Sequence, residues 1–373
     1  RIYMARQNRK FTPRQRTTRP LGTPLTSNIP PVQPLDPPLM KDGEWFIAPP
    51  LSSRLYQKSA IGLMQSDESI RVSTEEILFC HWHRHLPLPT DSWFDDAVNS
   101  DPDVIARSIL FDTARSGGEL LIPAQNIPGK WGIEVPQPTW ALRWNREQIF
   151  SKEMPVAHVR WAWTTDVIDW KEMVEWTSWV HEQGMLAEFL VIDEEMDVTM
   201  YLLSQRQPSG KQPLWDTFST EKKNQISELW QKRIARGDGW YVPDASNWHW
   251  DSIGVEHLSG RHLRQEEGQL VQSSIDELRP SPQHNLYVDL VERGVLLRPG
   301  FKYGSRWRVY DTPVGEAHAP WLIQPHEDAP QTWEAACLAV RLSEGVHKMW
   351  LCALPFKDSW FYLHMQRWLP GRN

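Results

Sequence analysis

The sequence predicts an α/β fold of two tandem units, each a small mixed α/β subdomain followed by a central sheet flanked by helices. Three observations predict it. The ends of the two halves can be laid on each other at a nearly constant offset: Ala157-His158-Val159-Arg160-Trp161 on Ala317-His318-Ala319-Pro320-Trp321 at 160, Trp170 on Trp333 at 163, Tyr201-Leu202 on Tyr362-Leu363 at 161, and Pro208 on Pro370 at 162. The order strand, His, helix, hairpin recurs in both halves. The 373 residues, 40% hydrophobic and 23% charged, are enough for two or three globular domains. The expected division is an arm over 1–38, a first unit over 39–207 and a second over 208–373, itself split at 283/284.

Residues 1–38 carry seven Arg or Lys and no acid before Asp36, with many Pro and Thr and little apolar period. They read as a flexible basic arm, either a solvated tail or a tether for a phosphate backbone. Order is expected from Lys41-Asp42-Gly43-Glu44-Trp45 onward. Val72-Ser73-Thr74-Glu75-Glu76 predicts a capped helix start, with Ser73 or Thr74 as N-cap and acids in the first turn. His81, His83 and His85 follow at alternate positions. No Cys or carboxylate completes a metal set there, so they read as a polar helix end.

Residues 118–138, rich in Gly and Pro, predict short strands and turns. A helix is expected over 166–184, with Trp170, Met173, Val174, Trp176 and Val180 on its apolar face and Gly184 at its end. Strands over 187–192 and 198–203 make a hairpin around the acidic turn Asp193, Glu194, Glu195 and Asp197. Pro208, Ser209 and Gly210 mark a linker over 205–212. Beyond it, helices are expected over 219–236 and 284–294. Strand, turn and strand then lead to Tyr310.

Several classes drop out at this level. No run of 18 apolar residues is present, so no membrane span is expected. Cys80, Cys337 and Cys352 are few, odd in number and far apart, which argues for a reducing compartment and against a disulfide framework or zinc ribbon. With no apolar leader seen at the N-terminus, a cytoplasmic location is expected. The net charge of −7 disfavours a generally basic nucleic-acid binder but leaves room for a local basic patch. Most of the 22 Trp are expected as core or interface anchors.

The chemistry-bearing stretch runs from Phe301 to Lys348. A strand ends in Tyr310, His318 follows, and the next helix carries Arg341 and ends at Lys348. Singly, these read as a strand-end aromatic, a loop His and a cation favoured by a helix C-terminus. Together they could supply a base, an acid and a fixed cation. RNA carries its own nucleophile in the 2′-OH, so a protein that takes that proton, balances charge on the phosphoryl oxygens and protonates the 5′-oxygen needs no metal. A tyrosine hydroxyl is a poor base at its free pKa of about 10 unless cations lie near. Lys302, Arg306, Arg308 and Lys348 are the candidates. The internal alignment sets Tyr310 against Phe150, Lys348 against Met185, Arg341 against Ser178 and His318 against His158. On that reading the first half keeps the scaffold and a His but lacks the other three.

Residues 285–370 resemble the catalytic domain of archaeal-type tRNA-splicing (tRNA intron) endonucleases. The carrying motifs are Tyr287-Val288-Asp289-Leu290-Val291-Glu292-Arg293-Gly294, residues 300–310 ending Arg308-Val309-Tyr310, His318-Ala319, and residues 340–348 with Arg341 and Lys348. Trp307 stands where the family usually has Phe, and the gap from Tyr310 to His318 is short. The resemblance implies Tyr310 as general base, His318 as general acid and Lys348 as transition-state stabiliser. It also implies Arg341 and Arg367 as a clamp on a flipped-out base. It further implies a bulge-helix-bulge precursor tRNA as substrate, no cofactor or metal, and products with 2′,3′-cyclic phosphate and 5′-hydroxyl ends. One intact and one depleted half resemble the fused form that pairs as a homodimer. In that form the turn Asp193, Glu194, Glu195 and Asp197 would contact the partner, the alternative being a solvated turn. Two rivals stay open. A metal-dependent nuclease would draw on Asp311 and Glu316, and a non-catalytic RNA-binding or assembly subunit would not depend on Tyr310, His318 and Lys348.

Overall fold

The computed structural model describes Leu21 and residues 34–371, so the basic arm expected over 1–38 lies, up to residue 33 and apart from Leu21, outside the described residues. The fold is mixed α/β and comprises two compact units, one ending at Asp112 and the other starting at Thr113. The boundary expected at 207/208 therefore falls inside the second unit. No helix among the described residues is long and apolar enough to cross a membrane.

The first unit holds strands β1 (Leu39–Lys41), β2 (Glu44–Ile47), β3 (Leu63–Met64) and β4 (Ile70–Val72), with helices α1 (Leu51–Ser59), α2 (Thr74–Arg84), α3 (Trp93–Ser100) and the start of α4 (Val104–Arg115). The strands form one antiparallel sheet in the order β1-β2-β4-β3. Helix α2 begins where its capping signal predicts. Glu76 N–H donates to Ser73 Oγ at 3.3 Å, while Glu76 Oε2 accepts from Ser73 N–H at 2.8 Å. The other oxygen of the buried Glu76 accepts from Gly62 N–H at 2.8 Å. His81 bonds the Leu86 carbonyl, His83 meets Asp112, and His85 closes the helix in the left-handed region.

The second unit is built on a ten-stranded sheet in the order β14-β15-β16-β17-β18-β9-β8-β7-β6-β5. Its first half is β5 (Leu120–Pro123), β6 (Ala141–Trp144), β7 (Ala157–Trp163), α5 (Trp170–Glu182), β8 (Leu186–Ile192) and β9 (Val198–Arg206). Between the halves lie α6 (Thr220–Gln231), β10 (Ile234–Arg236), β11 (Gly239–Val242), β12 (Val255–His257), β13 (Gly260–Arg264) and α7 (Gln265–Ile275). Its second half is α8 (Leu286–Glu292), β14 (Leu296–Pro299), β15 (Trp307–Tyr310), β16 (Trp321–Pro325), α9 (Trp333–Gly345), β17 (Met349–Phe356) and β18 (Ser359–Arg367). Strands β10 to β13 form a separate four-stranded sheet, order β10-β11-β13-β12.

Two parallel pairs, β7–β8 and β16–β17, are bridged by α5 and α9, because a parallel neighbour needs a crossover. The halves join at β18–β9, from Tyr362 opposite Arg206 to Arg367 opposite Tyr201. Tryptophans lock that seam. Trp170 at the start of α5 lies 5.6 Å from Trp350 in β17, and Trp333 at the start of α9 stacks on Phe189 in β8 at 3.9 Å. Each helix thus lays its first indole on a strand of the other half, which accounts for part of the high Trp content.

Several expected boundaries move. Helix α5 starts at Trp170 because the Asp169 side chain caps it, accepting from Glu172 N–H at 3.0 Å. The helix expected over 219–236 stops at Gln231, since Gly237-Asp238-Gly239 turns the chain into the β10–β11 hairpin. The expected linker is no free tether. Gln205 and Arg206 belong to β9, and Gly210 and Gln212 donate to the carbonyls of Arg293 and Gly294 at 2.9 and 2.8 Å. A Cβ on Gly210 would stand 2.3 Å from the Gly294 oxygen, so this contact requires glycine.

Strand register also corrects the internal alignment. Leu186 and Met349 N–H donate to the carbonyls of Val156 and Pro320 respectively, and Ala157 and Trp321 pair with Leu186 and Met349. Trp144 lies opposite Leu120 as Tyr310 lies opposite Leu296. The position matching Tyr310 is therefore Trp144, not Phe150. His158, inside β7, matches Leu322 rather than His318, and Met154 holds the place of His318. Insertions in the loops before β7 and β16 shifted an alignment made on sequence alone. The matches of Met185 to Lys348 and Ser178 to Arg341 stand.

Candidate functional site at one end of the ten-stranded sheet

Alternation along β15 turns Trp307 and Val309 into the core under α8, leaving Arg308 and Tyr310 on the opposite face. Tyr310, 8% exposed, packs with Leu296 and Ala319. The Arg308 guanidinium stands 6.0 Å from the Tyr310 ring centre, and its Nε donates to the Pro299 carbonyl at 3.0 Å.

Lys348 follows α9 through His347, whose φ of 56° ends the helix. Its N–H donates to the Ser343 carbonyl, which fixes its entry into β17. The side chain is buried. Its Nζ donates to the Ala319 carbonyl at 2.7 Å and lies 5.7 Å from the Tyr303 ring centre. Burial, and secondarily the charge of Arg308, pulls the ammonium below its ordinary pKa. His318 is exposed, in a loop closed by a bridge between Val314 and Ala317. The next residue, Ala319, touches Tyr310 through its side chain and Lys348 through its carbonyl. The end of β15, the loop before β16 and the start of β17 thereby bring Tyr310, His318 and Lys348 to one end of the sheet.

The remaining cations divide. Lys302 is exposed in the turn Phe301–Tyr303. Arg306 is drawn to Glu266 at 3.7 Å and Asp328 at 3.6 Å. Arg341 and Arg367 line one depression of about 310 Å³ with Tyr201, Cys337, Asp193 and Asp197. Arg367 is anchored to Glu344, donating from Nε at 2.6 Å and from its backbone N–H at 2.8 Å. The presence of the acidic turn in that depression was not legible in the sequence. Asp193 shapes the turn, its Oδ1 accepting from Glu195 and Asp197 N–H at 2.8 and 2.9 Å, while Glu194 and Glu195 are exposed at the tip. Among the described residues, no group of three or more His, Cys, Asp or Glu is placed to hold a metal ion.

Two participants escaped the sequence reading. The Ala319 carbonyl carries no signal, since any residue offers one. Arg298, opposite Arg308, reaches back to the turn before β12, donating to the Ser252 and Gly254 carbonyls at 3.2 and 3.0 Å and lying 3.6 Å from buried Glu267.

Comparison with known proteins bears on this segment. Residues 282–359 match the family model described as tRNA intron endonuclease, catalytic C-terminal domain. That span includes Tyr310, His318, Arg341 and Lys348 and ends before Arg367. The chain is 25% identical over 214 residues to a tRNA-splicing endonuclease of Methanococcoides burtonii, covering 50% of this chain and 59% of that protein. It is 26% identical over 160 residues to one of Thermoplasma volcanium, covering 43% and 48%. Over 70 residues it is 34% identical to one of Methanopyrus kandleri, covering 18% and 39%. The chain spans about half the length of the curated relatives it matches first.

Proposed function

We propose, from the premise that residues 282–359 are a catalytic C-terminal domain of the tRNA intron endonuclease family, that the chain excises introns from precursor tRNA at bulge-helix-bulge sites. The reaction is metal-independent. Tyr310 takes the 2′-OH proton, the 2′-oxygen attacks the adjacent phosphorus, and Lys348 balances charge on the non-bridging oxygens. His318, exposed where a leaving group can reach it, protonates the departing 5′-oxygen. The products are a 2′,3′-cyclic phosphate and a 5′-hydroxyl. Arg341 and Arg367 hold a flipped-out base between two guanidinium planes. The observation that carries this reading is Ala319. The residue next to His318 both packs on Tyr310 and holds the Lys348 ammonium at 2.7 Å.

The two halves of the sheet are read as copies of one unit, supported by their mirrored strand order and by the matching small sheets β1-β2-β4-β3 and β10-β11-β13-β12. The units run over 39–207 and 208–373. With one complete site per chain, a homodimer supplies the two cuts, and the turn carrying Asp193, Glu194, Glu195 and Asp197 contacts the partner. Sedimentation should give twice the chain mass for the parent and monomers for a Glu194→Lys/Glu195→Lys variant.

The deciding experiment is single-turnover cleavage of a bulge-helix-bulge RNA in EDTA with end-group analysis. Tyr310→Phe, His318→Ala and Lys348→Ala should each slow the cut by about 10²–10⁴-fold. A 3′-hydroxyl product, or parental rates in all three variants, overturns the assignment.

A further inference from the structure

The small sheet beside the site has an exposed face that the reaction does not use. Across it, Ile234, Tyr241, His262 and Val255 line up in register, with Arg236, Gly239 and Arg264 in a second row. The opposite face buries Val242 and Leu263 against α6 and α7. On the exposed face the Tyr241 ring lies 4.9 Å from that of His262, the His257 ring lies 6.1 Å from that of His262, and Arg236 donates to His262 Nδ1 at 2.9 Å. Burial, with Arg236 and His257 adding to it, lowers the His262 pKa.

The first unit supplies an internal comparison. Its sheet has the same strand order and the same lock, a helix-capping glutamate that accepts from a glycine N–H: Glu76 from Gly62 at 2.8 Å, and Glu267 from Gly254 at 3.1 Å. Matched through the registers, Lys41 corresponds to Arg236, Glu44 to Gly239, Phe46 to Tyr241 and Arg71 to His262. In the first sheet Glu44 pairs with Arg71 at 3.1 Å. In the second, glycine replaces that acid and a tyrosine replaces the phenylalanine. Carboxylates near the second face include Asp238 in the turn, Glu266, which lies 3.4 Å from Arg264, and Glu267, which is committed to Gly254 and Arg264.

This face also leads to the cut. A depression of about 370 Å³ is lined by Arg236, Trp240, His262 and Arg264 from the small sheet and by Arg298 and Pro299 from β14. Arg298 lies opposite Arg308 in register, and Arg308 stands over Tyr310. Cations on a flexible or single-stranded backbone, interleaved with rings on which bases stack, form the general solution for holding an unpaired strand.

We propose that the exposed face of β10 to β13 binds an RNA strand flanking the cut, with Tyr241 and His262 stacking bases and Arg236 and Arg298 contacting phosphates on the way to Tyr310. This rests on the RNA-cleaving reading above. The test uses the full chain and a bulge-helix-bulge RNA carrying 2′-deoxy groups at the cut positions, so that binding is read without cleavage. Arg236→Glu/Tyr241→Ala should weaken binding by about 30-fold and reduce the slope of log affinity against log salt by about one, with the folded signal unchanged. Arg236→Gln, a milder change at an exposed position, should weaken it by about 3-fold and guards against misfolding of the double variant. Lys41→Glu on the first sheet should leave binding unchanged. If the parent binds and cuts while both Arg236 variants bind as it does, the face is not an RNA site and the enzyme reading survives. A variant that changes solution mass instead shows an interface between chains and overturns the proposal. A parent that neither binds nor cuts the RNA overturns both.

Discussion

The two halves of the ten-stranded sheet place different chemistry on matching strands. At one end of the second half stand Tyr310, His318 and Lys348; the matching positions of the first half are Trp144, Met154 and Met185. The first half is not simply depleted, however. One residue inward, where the second half has Val309 and Leu351, it buries Arg143 between two carboxylates. Arg143 donates from Nε and one Nη to both oxygens of Glu188 at 2.7 Å, and from the other Nη to Glu119 at 2.9 Å and Asn145 at 2.8 Å. Trp368, just past β18, seals the group by donating to Glu188 at 2.9 Å. The second half sets Arg308 and Lys348 near strand ends, and the first pairs its charges inside. The same strand order thus accommodates either an apolar or a fully paired ionic interior at matching positions.

The largest expected effect comes from exchanging rim residues between halves. Lys348→Met, which installs the residue at the matching position, keeps most of the packing and should slow RNA cleavage by about 10³–10⁴-fold, about 4–5.5 kcal/mol in barrier. Met185→Lys should add no second cut, because Trp144 and Met154 stand where the second half has Tyr310 and His318. Cleavage at parental rate by Lys348→Met would erase the functional side of the contrast. The next effect is on stability. Arg143→Ala strands two buried carboxylates and should cost about 3–5 kcal/mol, whereas Val309→Ala, at the matching apolar position, should cost about 2 kcal/mol. Urea unfolding followed by Trp fluorescence measures both, and equal losses would mean the ionic group is no more than packing.

Acid should act on both halves. His158, inside β7, and His364, inside β18, are both held at a pKa of about 4, chiefly by burial. With folded pKa values below the unfolded value, the unfolded chain binds more protons between about pH 4 and 6.5. Stability is therefore full above about pH 6.5 and falls as the pH drops towards 4, by on the order of 3 kcal/mol for each group. His158→Leu installs the residue found at the matching position of β16. It should flatten the loss between pH 7 and 4.5 while leaving Thr139 its donor from Trp176 at 3.0 Å. An unchanged pH profile would show that His158 does not set the acid limit.

Much of the scaffold was legible because its signals are local. Ser73 with Glu76 announced α2, the period of Trp170, Met173, Val174 and Val180 announced α5, and the acidic turn announced the β8–β9 hairpin. The places of Tyr310, at the end of β15, and Lys348, just before β17, were legible from chain order, whereas His318 falls in the exposed loop between β15 and β16. What was not legible depends on register. Phe150 was set against Tyr310, and His158 against His318, because a sequence offset cannot see loop insertions that strand pairing ignores. Arg143 gave no sign of burial, since its partners Glu119 and Glu188 are distant in sequence and meet only across the sheet. The strap through Gly210 looked like a linker for the same reason: glycine signals both freedom and close approach, and only the facing Gly294 decides between them.

The smallest expected effect compares the two hairpin tips. At the tip between β17 and β18, Lys357 donates to Glu182 at 3.2 Å, with side chains 68% and 57% exposed. At the tip between β8 and β9, Asp193 and Asp197 face the depression that also holds Arg341 and Arg367. An exposed pair spends in side-chain entropy most of what it gains in attraction through water. Lys357→Ala should therefore shift unfolding by no more than about 0.5 kcal/mol and leave RNA affinity unchanged. Asp197→Asn, by contrast, removes a negative charge beside two arginines proposed to hold a base. Its stability cost should be similarly small, but RNA affinity should rise by about 2- to 5-fold at low salt and lose that gain as salt screens it. If both variants alter affinity equally, the acidic tip has no special relation to the arginine pair; if neither does, the depression takes no part in holding RNA.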